Sequence, residues 1–236
     1  MTTEDNRTAL VTGGSEGLGL ELVRALTGRG WTVVTDARDA ARLHANLADL
    51  PRDLVRAVPG DVTDPEHRAD LVALARDLGG LDLLVLNASS LGPLPMRPLR
   101  ALTAAQLDET LRLTAGANAA LMIEAADELL RRGGTVVGIS SDAAVEHYET
   151  WGPYGAAKAA LDHLVQTFGA ETGLPAYAVD PGDMRTRMQQ DAFPDDDISD
   201  RPLPATVVPR LLSLLDRRAP SGRYRASDLP VAEVVA

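Results

Sequence analysis

The sequence predicts an α/β domain: a doubly wound parallel sheet of about seven strands with helices on both faces. Three observations lead there. Short apolar runs of four to six residues alternate with longer segments of helical period, the pattern of repeated βαβ units. "TVVGIS" reads as a buried strand, near-continuous in apolar residues as a strand covered on both faces requires. The length of 236 residues with 45% hydrophobic content suits one domain with a large core, so residues 1–236 are read as a single domain.

The elements follow in order. "TALVT" from Thr8 reads as the first strand, and "LGLELVRALTGRG" as a helix whose Leu and Val positions recur on one face. "WTVVTD" is the second strand, followed by a helix through Leu50. "LVRAV" is the third strand, and "PEHRADLVALARDL" a helix. "LDLLVL" is the fourth strand. A long helical region then runs from about Thr103 to Arg132 and closes at Gly133-Gly134. "TVVGIS" is the fifth strand, "YGAAKAALDHLVQTFGAE" a helix, "PAYAVD" the sixth strand and "GRYRA" the seventh. No internal repeat is visible. The segment of about 183–204 breaks the rhythm: it is rich in Asp and Pro and has no period, which predicts a mobile excursion of the kind that forms lids.

Composition narrows the partners. The net charge of −11 repels phosphate backbones and anionic lipid, and 3% aromatic content offers few stacking platforms, so no nucleic acid and no membrane is expected. Without cysteine there is no disulfide and no thiolate metal site. The four histidines form no ligand spacing, so no metal is expected. The polar start and the lack of a long apolar run predict a cytoplasmic location.

Between the first strand and its helix lies "TGGSEGLG", Thr12 to Gly19. Gly13, Gly17 and Gly19 allow a tight turn, approach of a diphosphate to the backbone, and close helix packing, while the helix N-terminus favours negative charge. The context of strand, loop and helix points to nucleotide binding by a Rossmann-type domain. Further along, Lys158 is the chain's single lysine, four residues after Tyr154 on a predicted helix, so the two share a face.

These residues resemble the short-chain dehydrogenase/reductase family. The shared features are the glycine spacing; a Tyr-x-x-x-Lys pair, Tyr154 and Lys158; a serine thirteen residues upstream, Ser141; Asp61-Val62 after the third strand; Asn87-Ala88 after the fourth; and Pro181-Gly182 with Thr186 after the sixth. The match runs in order over roughly residues 7 to 190. The resemblance implies an oxidoreductase that moves a hydride between a nicotinamide and a ketone or secondary alcohol. Ser141, Tyr154 and Lys158 would be catalytic. Gly13, Ser15, Glu16, Gly17, Leu18, Gly19, Arg38, Asp61, Val62, Asn87, Ala88, Tyr154, Lys158, Pro181, Gly182 and Thr186 would hold the cofactor. The partner would be a small carbonyl or alcohol, and the assembly a homodimer or homotetramer.

A phenol with a pKa near 10 is a poor acid at neutral pH, and a neighbouring cation lowers that value. Lys158 is expected to do so and to donate to the cofactor's ribose. An arginine is too bulky and too rigidly forked for both tasks. For the cofactor, the position that carries an acid in NAD-type members falls on Ala37, and Arg38 follows; this favours NADP(H), with NAD(H) the alternative. Asp36 and Glu16 would oppose a 2′-phosphate unless they point away.

Two departures from the family pattern stand out. Leu86 and Ser89 flank Asn87-Ala88 in place of an amide and a glycine. The helix asparagine of the family's proton relay should fall near residues 113–115, where the sequence reads "LTA"; Asn118, a turn away, reads as an ordinary helix residue. The missing asparagine leaves open a protein that binds the nucleotide without turnover, as a sensor or scaffold. His147, Tyr148 and Trp151 lie in the loop before Tyr154, which borders the substrate pocket in this family.

Overall fold

The computed structural model describes residues 7–231. Its seven strands are β1 (Thr8–Val11), β2 (Thr32–Ala37), β3 (Val55–Pro59), β4 (Leu83–Leu86), β5 (Thr135–Ile139), β6 (Ala176–Asp180) and β7 (Gly222–Arg225). They form one sheet in the order β3-β2-β1-β4-β5-β6-β7, every neighbouring pair parallel. Along β1, Ala9 and Val11 enter one core and Leu10 the other, so the strand is apolar at every position because both its faces are buried.

Helices α1 (Gly17–Gly28) and α9 (Pro204–Arg217) pack together on one face, and α3 (Pro65–Asp77), α5 (Asn118–Glu124) and α7 (Gly152–Thr172) on the other. The helix after β2, α2 (Ala40–Asn46), stops short of Leu50; its Asp39 side chain accepts from the Arg42 N–H and fixes its start. Chain order reverses between β1 and β4, and a crevice opens there at the carboxyl ends of the strands.

Two regions differ from the sequence expectation. The region read as one helix is broken into α4 (Ala104–Leu111), a π-helical turn (Arg112–Ala117), α5 and α6 (Ala126–Arg132). The wider turn presents the Thr114 hydroxyl to the Ser90 N–H at 3.2 Å, and Asn118, one turn on, reaches the Ala88 carbonyl at 2.9 Å. The segment of 183–204 is not wholly irregular. It contains α8 (Arg187–Ala192), capped by the Thr186 hydroxyl, and buries Ile198 while its aspartates stay at the surface.

Candidate active site

All the residues named above for catalysis and cofactor binding line one cleft of about 680 Å³ at the switch point. At its floor the glycine loop and the β4 turn are laced together. The Thr12 hydroxyl accepts from the Asn87 and Ala88 N–H groups at 3.0 and 2.9 Å, and Asn87 Nδ2 donates to the Thr12 carbonyl at 2.7 Å. Gly13 (φ 72°) and Gly17 (φ 59°) occupy the left-handed region, and a Cβ on Gly19 would fall 2.3 Å from the Gly13 carbonyl oxygen. Glu16, at the N-cap of α1, makes no side-chain capping bond, so the first-turn N–H groups remain open. A glycine-rich cradle ending in an uncapped helix fits a dinucleotide diphosphate.

At the outer end of β2, Asp36 turns inward. Its Oδ1 accepts from the Gly13 N–H at 2.8 Å and its Oδ2 lies 3.1 Å from His67 Nε2. Glu16 is paired with Arg42 at 2.9 Å. Neither carboxylate is left to oppose a phosphate, and Arg38 and Arg42 both line this end. Sequence reasoning missed Arg42; its place four residues after Arg38, at the start of a helix, was the available signal. Burial pushes the Asp61 carboxyl up, but the Thr63 N–H and hydroxyl, with Arg38 and Arg112, outweigh it and hold the group below its usual range.

At the inner end Ser141 follows β5 and faces Tyr154 and Lys158 on α7. Gly155 lets the helix close in, since a Cβ there would meet the Ala143 carbonyl oxygen at 2.5 Å. Lys158 is 1% exposed; its Nζ donates to the Ile139 carbonyl at 2.6 Å and lies 5.5 Å from the Tyr154 ring centroid. Burial lowers the ammonium to about 8, against the attraction of Asp162 one turn on. The expectation that the cation lowers the phenol is not met in this geometry, where Lys158 is not among the groups that shift Tyr154. Burial raises Tyr154 above its ordinary value, the Ser141 hydrogen bond pulls the other way, and Asp142, Asp180 and Asp162 add to the rise.

Behind these groups lies a buried polar layer that the sequence did not announce. Ser140 donates to Asp162 Oδ2 at 2.7 Å, and Arg223 on β7 donates to the same oxygen at 3.0 Å and to the Ser141 carbonyl at 2.8 Å. The shorter edge strand thus anchors the serine. The Ser141 hydroxyl donates to Asp142 Oδ1 at 2.9 Å, and the Tyr148 hydroxyl donates to Asp142 Oδ2 at 2.9 Å. Trp151 lines the cleft, 5.6 Å from the Tyr154 ring and 5.9 Å from Phe193, and His147 is exposed. Asn118, read from sequence as an ordinary helix residue, is fully buried and donates to the Ala88 and Thr114 carbonyls, so it supports the β4 turn. Among the described residues no cluster of ligating side chains could hold a metal, and no helix is long and apolar enough to cross a membrane.

A doubly wound sheet with a glycine-rich cradle and a Ser/Tyr/Lys cluster at its switch point defines a dinucleotide-binding oxidoreductase fold. The sequence profile described as short chain dehydrogenase matches residues 7–197, and the chain belongs to that family, whose members bind a nicotinamide cofactor and act on CH–OH or C=O groups of small molecules. The chain is 32% identical to an L-xylulose reductase of Bos taurus over 80% of its length and 76% of the relative's. With a gluconate 5-dehydrogenase of Gluconobacter oxydans it shares 28% identity over 92% and 81%. Among solved structures, a family member from Escherichia coli CFT073 complexed with NADPH superposes with a TM-score of 0.86 at 25% identity, covering 93% of this chain and 96% of that one.

Proposed function

We propose that this protein is an NADP(H)-dependent carbonyl reductase or alcohol dehydrogenase acting on a ketone and its secondary alcohol. The observation that carries the reading is the convergence of Ser141, Tyr154 and Lys158 at one end of a cleft whose other end holds a phosphate cradle and two arginines. When bound, the reduced nicotinamide supplies the hydride, which goes to the carbonyl carbon. Tyr154 gives its phenolic proton to the carbonyl oxygen, so hydride and proton together make the alcohol. Ser141, held by Arg223 through its carbonyl, donates to that oxygen and orients it, and its hydroxyl must leave Asp142 to do so. Lys158 stabilises the phenolate left on Tyr154, against the rise that burial imposes, and holds the nicotinamide ribose. Trp151 and Leu91, with Phe193 packed against Trp151, exclude water from the reacting carbon.

The test is nicotinamide absorbance with a panel of ketones and secondary alcohols, run with both cofactors. Turnover, faster with NADPH than NADH, is the expected result. Tight binding of reduced cofactor with no oxidation by any carbonyl would make the protein a sensor or scaffold instead.

A further inference from the structure

We propose that His67 is a specificity-determining residue, which selects NADP(H) by holding Asp36 away from the adenosine ribose and neutralising its charge. This rests on the reading of the cleft as a dinucleotide site. The position that carries the discriminating acid in NAD-type members falls on Ala37, so Asp36, one residue earlier on β2, could accept from the ribose hydroxyls in its place only with a free carboxylate oxygen. Asp36 has none: one oxygen takes the Gly13 N–H at 2.8 Å, the other lies 3.1 Å from His67 Nε2, and the residue is only 2% exposed.

The imidazole has a built seat. A Cβ on Gly60 would fall 2.2 to 2.6 Å from three atoms of the His67 ring, so the ring rests against bare backbone at the end of β3. Its own backbone is set in the first turn of α3 by Asp64, which caps the Glu66 N–H, and by Pro65. The other carboxylates at this end, Glu16 and Asp39, are both engaged by Arg42, at 2.9 and 3.6 Å. With Asp36 paired, the cleft presents Arg38 to whatever the 2′ position carries, and Arg42, which holds Glu16 and Asp39, keeps those carboxylates from opposing it. A guanidinium suits a phosphate and gives little to a bare hydroxyl.

The arrangement also depends on pH. Asp36 across from β2, with Asp64 and Asp70 on its own helix, raises His67 above the ordinary histidine range, the Asp36 hydrogen bond foremost and burial opposing. While His67 is protonated, the pair with Asp36 carries no net charge. Once it deprotonates, an unbalanced carboxylate lies beside the phosphate-binding arginine.

The test measures Kd for NADPH and NADH directly, by nicotinamide fluorescence without substrate, from pH 7.5 to 9.5. In that window the 2′-phosphate, whose second pKa is about 6, is already dianionic. The preference for NADPH in the wild type is expected to decline as pH rises. His67→Leu is expected to reduce it at least tenfold at pH 7.5 and to flatten the pH profile, and Asp36→Asn in that background to restore it. A preference in His67→Leu within threefold of wild type would overturn the proposal, as would a loss that Asp36→Asn does not reverse. Should His67→Leu not fold, Asp36→Asn alone decides against the wild type: it must keep the preference and lose the pH dependence. Neither dinucleotide binding at any pH would defeat the underlying reading of the cleft.

Discussion

Replacing Lys158 by Met keeps the side chain's length and volume while removing its charge, and the size of the effect can be worked out. Burial brings the ammonium from its ordinary 10.5 to about 8. At 1.36 kcal/mol per pH unit, that difference corresponds to ~3 kcal/mol spent on keeping the charge in the folded state. Against it stands the hydrogen bond to the Ile139 carbonyl, whose loss costs about 1 kcal/mol. Lys158→Met should therefore stabilise the protein by ~2 kcal/mol at pH 7, raising Tm by about 4–8 °C for a chain of this size. The sign with pH follows from linkage. Between pH 8 and 10.5 the unfolded chain binds more protons at this site than the folded one, so wild-type stability rises across that window. The variant's advantage should be complete below pH 8 and absent by pH 10.5, and its turnover should be lost throughout. Thermal unfolding at pH 7, 9 and 10.5 tests this. A variant that melts below wild type at pH 7, or an advantage that ignores pH, would refute the reasoning.

Three other outcomes are expected. Tyr154→Phe leaves the ring packed against Trp151 but removes the proton donor, so dinucleotide binding should persist while kcat falls by orders of magnitude; retention of a tenth of the wild-type rate would end this assignment. Arg38→Ala should weaken NADPH by about 1.5–3 kcal/mol and leave NADH nearly unchanged in a fluorescence titration, and equal losses for both would contradict a phosphate contact. The hydrogen bonds of the segment 183–204 run almost wholly within it, among them the Arg185 N–H to the Pro202 carbonyl at 2.9 Å, and it borders the cleft through Met184 and Gln189. Its amides should exchange slowly only when cofactor and substrate are both present, and equal exchange in the free and ternary states would make it a fixed element.

The strands were legible because their burial is two-sided: a parallel strand such as Leu83–Leu86 has no polar face to disguise it. The glycine loop and the helix that carries Tyr154 and Lys158 were legible as elements because the proposed site rests on short spacings, Gly13 to Gly19 and Tyr154 to Lys158. The features that escaped depend on distant partners. Hydrophobic period marks the apolar face of residues 103–132 but not the place where the helix widens, which is set by Thr114 meeting Ser90. His67 stands alone in its helical pattern, and its partner Asp36 is 31 residues away on another element. Asp162 and Arg223, 61 residues apart, meet only because β7 pairs with β6. The charge of the aspartate-rich segment masks its order, although Thr186 is well placed to cap a short helix and Ile198 to anchor the residues around it.

Under the proposed function the two ends of the cleft need different cations, which would account for the chain's single lysine. At the adenosine end the side chains are partly open to water, the ligand is permanently anionic, and a guanidinium that never loses its proton is the better donor. At the reacting end the cation is enclosed, and a permanent charge there would bear the whole cost of burial at every pH. An ammonium brought to about 8 can still be charged at neutral pH while lying close to the range where acid–base chemistry is efficient. Holding it there takes a compensating carboxylate that does not itself reach the substrate. Asp162 meets that need: it lies one helical turn behind Lys158, and its Oδ2 takes bonds from Ser140 and Arg223. Arginine at position 158 would need more room than the 2.6 Å approach to the Ile139 carbonyl leaves, and could not be tuned at all.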